Sequence, residues 1–420
     1  MHKAGRPRWW VAGLVGFLCL AVGTLAWLAL RPDTYVASPG RPAYASARPD
    51  LAAGTLDDLQ QAVTRRDAHA AEGLAADDRA RSLLGAVVTN AESLGVTDFT
   101  ARYVDEGGAV AKDGRWTAAV DLTWRFGHDD PSPVHEEVEV GFATAASTAS
   151  NASGGQDAVR ITGIGGGGQR SPLWLTEALR VRSGAGVLTL GADAAAVDRY
   201  ATLAARAVPV VARVVKGWAG PLVVEVPRSE AELDAALGAA PGTYAGVAAV
   251  TASVDGSMAS DAPVHVFVNP EVMGTLDDQG AQIVLSHEVT HAATKAATNT
   301  HRPIWLTEGF ADYVALRDVH LPITKTAGQI ITQVRKSGPP DHLPGQGDFD
   351  SHSSSFGAEY EAAWLVCRVI AEQAGERGLL AVYDRVGAGQ DLDAVLRDVL
   401  GVGTPGLTRL WQRRLSDLAG

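Results

Sequence analysis

Apolar and polar residues follow two different periods along this chain, and each period occupies its own region. Residues 51–91 carry apolar side chains at helical spacing, which predicts one or more amphipathic helices. Strict alternation then predicts antiparallel strands, each bounded by Gly, Asp or Pro. The alternating runs read TDFTARYV, RWTAAVDLTWRF, VHEEVEVGFATA and AVRITGI. We therefore expect helices followed by a curved meander, forming an α+β module over residues 51–175.

A second domain is predicted over residues 185–420. The runs PLVVEVP and PVHVFVNP predict strands near its start, and the pattern after them is helical almost to the C-terminus. The long irregular stretch 336–355 is compatible with a lid over a site and equally with a plain surface loop. The layout of the 51–175 module resembles cystatin-like and nuclear-transport-factor-like folds, and the sequence indicates no role for it.

The N-terminal segment is the most apolar part of the chain. Trp9–Leu30 is 22 residues long without a formal charge, about the length that spans a bilayer, and basic residues precede it. The positive-inside rule then predicts a single-pass cell-membrane protein with a cytoplasmic N-terminus and an extracytoplasmic remainder. We expect a cytoplasmic end and transmembrane helix over 1–31 and an extended linker, rich in Pro, Ala and Ser, over 32–50. A cleaved signal peptide is the alternative, although the apolar run is longer than a usual signal sequence.

Composition and charge narrow the class of protein. The net charge of −12 argues against a nucleic-acid partner, because phosphate backbones are bound by basic surfaces. The abundance of Ala, Gly, Val and Arg is typical of a GC-rich bacterial genome. Cys19 lies in the apolar N-terminal run and Cys367 lies among apolar residues far downstream, so we expect no internal disulfide. Nothing in the sequence indicates the oligomeric state.

The short segment LSHEVTH, residues 285–291, carries the most specific chemical signal. His287 and His291 are four residues apart in a predicted helix, so both imidazoles lie on one face and can bind one ion. Glu288 lies about 100° around the helix from His287. That places its carboxylate beside the ion rather than on it, where it can take a proton from an activated water. The spacing is that of an H-E-x-x-H metal site.

A second helix-like segment, RPIWLTEGFADYVALR, follows after a predicted turn. It places Glu308 17 residues after His291 and Asp312 one helical turn further on. Two antiparallel helices would bring the Glu308 carboxylate to the ion held by the two imidazoles. Asp312, on the same face as Glu308, could accept an N–H from a ligating histidine and fix its tautomer.

These two segments, HEVTH and WLTEGFADY, resemble the gluzincin metallopeptidases. The similarity is closest to the bacterial peptidase MA-like group, which is related to thermolysin and to the membrane-alanyl-aminopeptidases. The resemblance implies a thermolysin-like zincin domain over residues 185–420, in which Zn²⁺ is bound by His287, His291 and Glu308. It also implies that Glu288 is the catalytic base and that Asp312 supports a ligand from outside the coordination sphere.

The same resemblance draws attention to FGAEYEAAWLVCRVIAE. Relatives carry a tyrosine at the start of such a helix, and its hydroxyl stabilises the oxyanion, so Tyr360 is the candidate here; packing against Trp364 is the alternative role. The sequence lacks the G-x-M-E-N-like segment with which aminopeptidases hold an α-amine. The short interval between His291 and Glu308 also leaves Asp312 open as the third ligand, as in the aspartate-zincins.

The sequence therefore predicts a membrane-anchored, extracytoplasmic zinc peptidase that hydrolyses peptide bonds of a peptide or protein substrate by metal-activated water. A catalytically inactive, metallopeptidase-like envelope protein with a binding or scaffold role is the alternative. A zinc amidase acting on peptidoglycan cross-bridges is a narrower option. Neither the substrate nor a preference for internal or terminal bonds can be predicted.

Overall fold

The computed structural model describes residues 46–145, 158–349 and 356–420, and these form an α+β fold, as predicted. The helices are α1 (Pro49–Arg65), α2 (Ala68–Glu72), α3 (Asp78–Ser93), α4 (Leu173–Thr176), α5 (Ala194–Ala212), α6 (Glu230–Ala236), α7 (Pro270–Met273), α8 (Asp278–Ala293), α9 (Ile304–Leu316), α10 (Ile323–Thr326), α11 (Gly328–Ser337), α12 (Phe356–Gly387), α13 (Leu392–Leu400) and α14 (Thr404–Ala419). The strands are β1 (Val96–Glu106), β2 (Arg115–Phe126), β3 (Val134–Ala145), β4 (Ala158–Ile164), β5 (Arg180–Gly184), β6 (Val187–Gly191), β7 (Leu222–Val226), β8 (Ala249–Ser253) and β9 (Val264–Val268).

The first sheet is an antiparallel meander in the order β1-β2-β3-β4. Its four strands correspond to the four alternating runs of the sequence, and three helices precede it, so this part of the prediction is confirmed. Strand β2 shows why the pattern was readable, because alternate residues from Trp116 to Phe126 are buried along its whole length. One face of the sheet therefore packs into a core while the other remains more exposed.

The second sheet has the order β5-β6-β7-β9-β8. Its central strands β6, β7 and β9 are parallel neighbours, whereas β5 and β8 pair antiparallel at the two edges. Every residue of β6 and β7 is buried, which is typical of parallel strands covered on both faces. Strand β8 was not predicted from the sequence, and it later proves to border the candidate site.

Both faces of the second sheet contribute to hydrophobic cores. Val224 and Val266 point toward a core built mainly from the C-terminal helices. Leu188, Val223 and Phe267 belong instead to a core that includes the first sheet and helices α1 and α3. The predicted helical C-terminal half is confirmed by α8 to α14, which supply most of the first core.

The prediction of a transmembrane helix has to be corrected. Within the described ranges, no helix combines the length and the apolar character needed to cross a bilayer. Helix α12 is interrupted at Gly375, whose φ of 72° is non-helical, and both of its parts carry Glu and Arg side chains; charges at membrane depth are costly. On this finding the predicted single-pass fold and the cell-membrane location were wrong. The run predicted as the anchor, Trp9–Leu30, lies outside the described residues, as does most of the predicted linker; α1 begins at Pro49.

Candidate metal centre

Two adjacent helices carry the motif residues. Helix α8 begins at an N-cap, Asp277, whose side chain accepts the N–H of Gly280, and α9 begins directly after Pro303. Apolar residues of both helices, among them Leu285 and Phe310, are fully buried in the C-terminal core. This packing fixes the rotation of each helix about its axis, and the polar face of one is thereby turned toward the other.

A glycine allows α9 to lie unusually close to α12. A Cβ placed at Gly309 would collide with the main-chain oxygen of Ala363 and crowd the sulfur of Cys367. The absence of a side chain at this position therefore brings Glu308, on α9, near to the start of α12. Cys367 is buried, and burial raises the pKa of its thiol well above the usual value, as expected for a cysteine that packs as a small apolar residue.

Three donor atoms converge between α8 and α9. The Nε2 atoms of His287 and His291 lie 2.9 Å apart, and Oε2 of Glu308 lies 3.2 Å from each of them. Donors that share one tetrahedral Zn²⁺ at its usual bond lengths are roughly 3.3 Å apart. The three residues form a group that could hold a metal ion, and their side chains are only 10%, 10% and 13% exposed.

Asp312 lies on the outer side of this group. Its Oδ1 atom is 2.7 Å from Nδ1 of His287, so it can accept the Nδ1–H and leave the Nε2 lone pair turned toward Glu308. A carboxylate in this position fixes both the tautomer and the ring orientation of a ligating histidine. Because Asp312 contacts Nδ1 and Glu308 contacts both Nε2 atoms, Glu308 rather than Asp312 completes the converging set.

Charges and hydrogen bonds between the members of this group shift their pKa values. Burial opposes protonation of His287, but the charge of Asp312 and hydrogen bonds to Asp312 and Glu308 outweigh it and raise its pKa well above the usual value. Burial likewise opposes ionisation of Glu308, but the charges and hydrogen bonds of His291 and His287 lower the pKa of this carboxyl. A concentration of lone pairs and negative charge of this kind requires a cation, either a proton or a metal ion.

Glu288, the predicted base, is buried beside this group and is not one of the three converging donors. Burial raises its pKa, an effect that His287, His291 and a hydrogen bond from Thr251 only partly offset. A carboxylate with a raised pKa is better suited to accept and return a proton near neutral pH.

The converging group opens onto a cleft of about 860 Å³. Its walls come from the edge strand β8, the middle of α8, the first turn of α9 and the start of α12. Representative lining residues are Ala249, Val250, Thr251, Ile283, Val284, Ile304, Thr307 and Tyr360. The cleft combines apolar walls with a small polar floor, which is typical of a ligand-binding site.

Tyr360 lies at the position that the sequence suggested. Its ring centroid is 6.0 Å from that of His287, and it lines the cleft. Burial and the neighbouring carboxylates of Glu308 and Glu288 raise the pKa of its phenol far above the usual value, so the hydroxyl keeps its proton and can donate a hydrogen bond. Phe349 packs edge-on against Tyr360 at 5.1 Å and also lines the cleft. The described part of the irregular stretch 336–355 thus reaches the site.

Sequence reasoning missed Thr251, and it also missed the buried carboxylate partners of His265. Thr251 contacts Glu288 from strand β8, a strand that no strong alternation had indicated. His265, on strand β9, is fully buried between Asp130 and Glu225. His301 and His320, by contrast, are exposed.

Comparison with protein-family models, with curated proteins and with solved structures gave no match. The resemblances stated for the two halves of the chain therefore remain predictions, and the arguments that follow depend on the geometry.

Proposed function

We propose that this protein is a zinc-dependent peptidase whose metal is bound by His287, His291 and Glu308. The observation that carries the proposal is the convergence of two imidazole nitrogens and one carboxylate oxygen within 3.2 Å of one another at the floor of an open cleft. Structural zinc sites are closed by four protein ligands, whereas catalytic sites have three and keep one position for water or substrate. Two histidines and one glutamate are also the ligand set of the gluzincins that the sequence resembles.

Three residues of the chain, Glu288, Tyr360 and Asp312, each have a separate role in the proposed reaction. A zinc ion bound here would polarise the substrate carbonyl and lower the pKa of the attacking water. Glu288 takes a proton from that water and delivers it to the leaving amine as the C–N bond breaks. Tyr360 donates its O–H to the negative charge that develops on the carbonyl oxygen. Asp312 holds the His287 ring in the orientation that binding requires.

A polypeptide is the substrate class that the cleft favours. Strand β8 lies at the edge of the second sheet and contributes consecutive residues to the cleft. An edge strand can pair with an extended segment through main-chain hydrogen bonds. Val250 and Ile283 add apolar contact area on either side, so we expect apolar side chains near the cleaved bond to be favoured.

The test measures both bound zinc and peptide hydrolysis in the same purified proteins. The purified chain loaded with Zn²⁺ should cleave members of a peptide library, and a chelator should abolish cleavage. Glu288→Gln should keep one bound zinc but lose about a thousandfold or more in kcat, because it removes the base without removing a ligand. An exposed glutamate far from the cleft, Glu92, provides the matched control, and Glu92→Gln should behave as the parent.

The outcomes separate the proposal from its alternative. If Glu288→Gln cleaves peptides as fast as the parent, Glu288 is not the base. If the parent binds zinc tightly and cleaves nothing in the library, the inactive binding or scaffold protein is the better description. If it binds no divalent metal, the convergence of His287, His291 and Glu308 has another purpose and the proposal fails.

A further inference from the structure

We infer that Thr251 is a positioning residue that holds the carboxylate of Glu288 in its working orientation and links it to strand β8. This inference rests on the proposed function, because it assigns a task to a residue that contacts the proposed base. It does not follow from the H-E-x-x-H motif, since Thr251 lies on a different element 37 residues away from Glu288.

The contact is short and specific. Oγ1 of Thr251 lies 2.7 Å from Oε2 of Glu288 and 3.0 Å from its main-chain oxygen. A hydroxyl has one hydrogen and can donate it to one acceptor at a time. The carboxylate is closer and carries charge, and hydrogen bonds to ionised acceptors are the stronger ones. We therefore assign the donated hydrogen to Oε2.

This hydrogen bond restrains a side chain that would otherwise have several rotamers. Glu288 is buried but is not one of the three converging donors, so no bond to a metal would fix it. With Oε2 occupied by the Thr251 hydroxyl, Oε1 is the oxygen that can take a proton from the attacking water. A base must lie within hydrogen-bonding reach of that proton, and a misplacement of about 1 Å can cost roughly a hundredfold in rate.

The position of Thr251 in strand β8 gives the contact a second consequence. Asn269 N–H bonds the oxygen of Ala248, and Val254 N–H bonds the oxygen of Pro263. Hydrogen-bonded residues alternate along an antiparallel pair of strands. Because Ala248 and Val254 both bond to the neighbouring strand, the even-numbered residues of β8 direct their main-chain N–H and C=O groups toward β9. Thr251, paired with Val266, turns its own N–H and C=O toward the open edge. A peptide that pairs with β8 would thus contact the residue that holds the base.

The experiment compares three variants of the full, zinc-loaded chain on one peptide substrate. Thr251→Val keeps the β-branched shape but removes the donor, and kcat should fall about 10- to 100-fold with KM within about twofold. Thr251→Ser keeps the hydroxyl and should stay within about threefold of the parent. Thr189 is a strand threonine whose buried hydroxyl has no hydrogen-bond partner, so Thr189→Val is the control and should leave kcat unchanged. Bound zinc should be equal in all four proteins.

Crystal structures of the metal-free full chain provide a readout that does not depend on activity. Glu288 should keep one conformer in the parent and in Thr251→Ser, and should leave it in Thr251→Val. An unchanged kcat in Thr251→Val, or a rise in KM alone, would overturn the inference while leaving the proposed function intact. A parent that cleaves nothing would instead remove the proposed function, and an unmoved Glu288 in the Thr251→Val crystals would still refute the restraint.

Discussion

Among the described residues, two buried histidine–carboxylate clusters show that the same kinds of side chain can have different roles. The cleft cluster consists of His287, His291 and Glu308. The sealed cluster consists of His265, Asp130 and Glu225, in which Nδ1 of His265 lies 2.7 Å from Oε1 of Glu225 and Nε2 lies 2.8 Å from Oδ1 of Asp130.

Geometry distinguishes the two clusters more than composition does. In the sealed cluster the carboxylates lie at opposite ends of one ring, so each imidazole nitrogen can donate its own hydrogen and a proton satisfies the arrangement. The side chain of His265 is 1% exposed, which gives a metal ion no route of entry. In the cleft cluster three atoms face one another beside an open cavity, where a cation can enter and bind all of them.

The sealed cluster also joins the two sheets. Asp130 lies in the turn after β2 of the first sheet, where its other oxygen accepts the N–H of Phe126. Glu225 lies on β7 and His265 on β9 of the second sheet. Burial opposes protonation of His265, but the charge and hydrogen bond of Asp130, followed by those of Glu225, outweigh it and raise its pKa to about 9. We expect a charged imidazole that holds the sheets together.

The largest expected difference between the clusters is in metal binding. Removing one donor with His291→Ala should weaken zinc binding by about a thousandfold or more, because three protein ligands share the free energy of binding. His265→Gln should leave zinc stoichiometry and affinity unchanged. Titration of the metal-free protein with Zn²⁺ in a competing chelator measures both. Loss of zinc from the His265 variant, with the fold retained, would mean that the sealed cluster takes part in binding.

The next largest effect is expected on the free energy of unfolding, and it should be larger for the sealed cluster than for the cleft cluster. His265→Gln leaves two buried carboxylates without a cation, and removing one partner of a buried ion pair costs about 3–5 kcal/mol of unfolding free energy. His291→Ala, measured without metal, should cost less because its side chain borders the cleft and water can replace it. Denaturant unfolding gives both values. Equal losses in the two variants would show that burial does not separate the clusters energetically.

The pH dependence of stability should identify the proton on His265. Its pKa rises from 6.5 in the unfolded chain to about 9 in the folded protein, so the folded state binds the proton more tightly. The stabilisation is complete below pH 6.5, declines as the pH rises, and is lost above about pH 9. The shift corresponds to about 3 kcal/mol. The difference in unfolding free energy between the parent and His265→Gln, measured with chelator, should shrink over this range; a constant difference would contradict a charged His265.

The smallest effect should come from the residue that supports the cleft cluster without joining it. Asp312→Asn keeps the shape of the side chain but weakens the hydrogen bond to Nδ1 of His287, and it should lower zinc affinity about 10- to 100-fold. Its matched control is Asp318→Asn, on an exposed acid two residues beyond α9. A zinc affinity in Asp312→Asn equal to that of the control would remove Asp312 from the proposed site.

Local patterns were enough to predict much of the fold. The four strands of the meander follow from alternation because one face of each is buried and the other is not. Strand β8 has no such contrast, since three of its five residues are only partly buried, and its pattern carried no signal. The predicted membrane helix rested on the length, apolar character and basic flank of Trp9–Leu30, a run outside the described residues, and no described helix has the properties needed to span a bilayer.

The sequence by itself determined the donors of the cleft cluster. His287 and His291 share one helix face, and Glu308 follows on the next long helix. Helical periodicity and one chain reversal therefore suffice to bring the three residues together. Only the tertiary structure decided the contact of Thr251 with Glu288 and the pairing of His265 with Asp130, which are 135 residues apart. Those contacts depend on which strands are neighbours and on how the two sheets pack. Strand order and sheet packing are set by burial of the whole core, and no local period of the sequence encodes them.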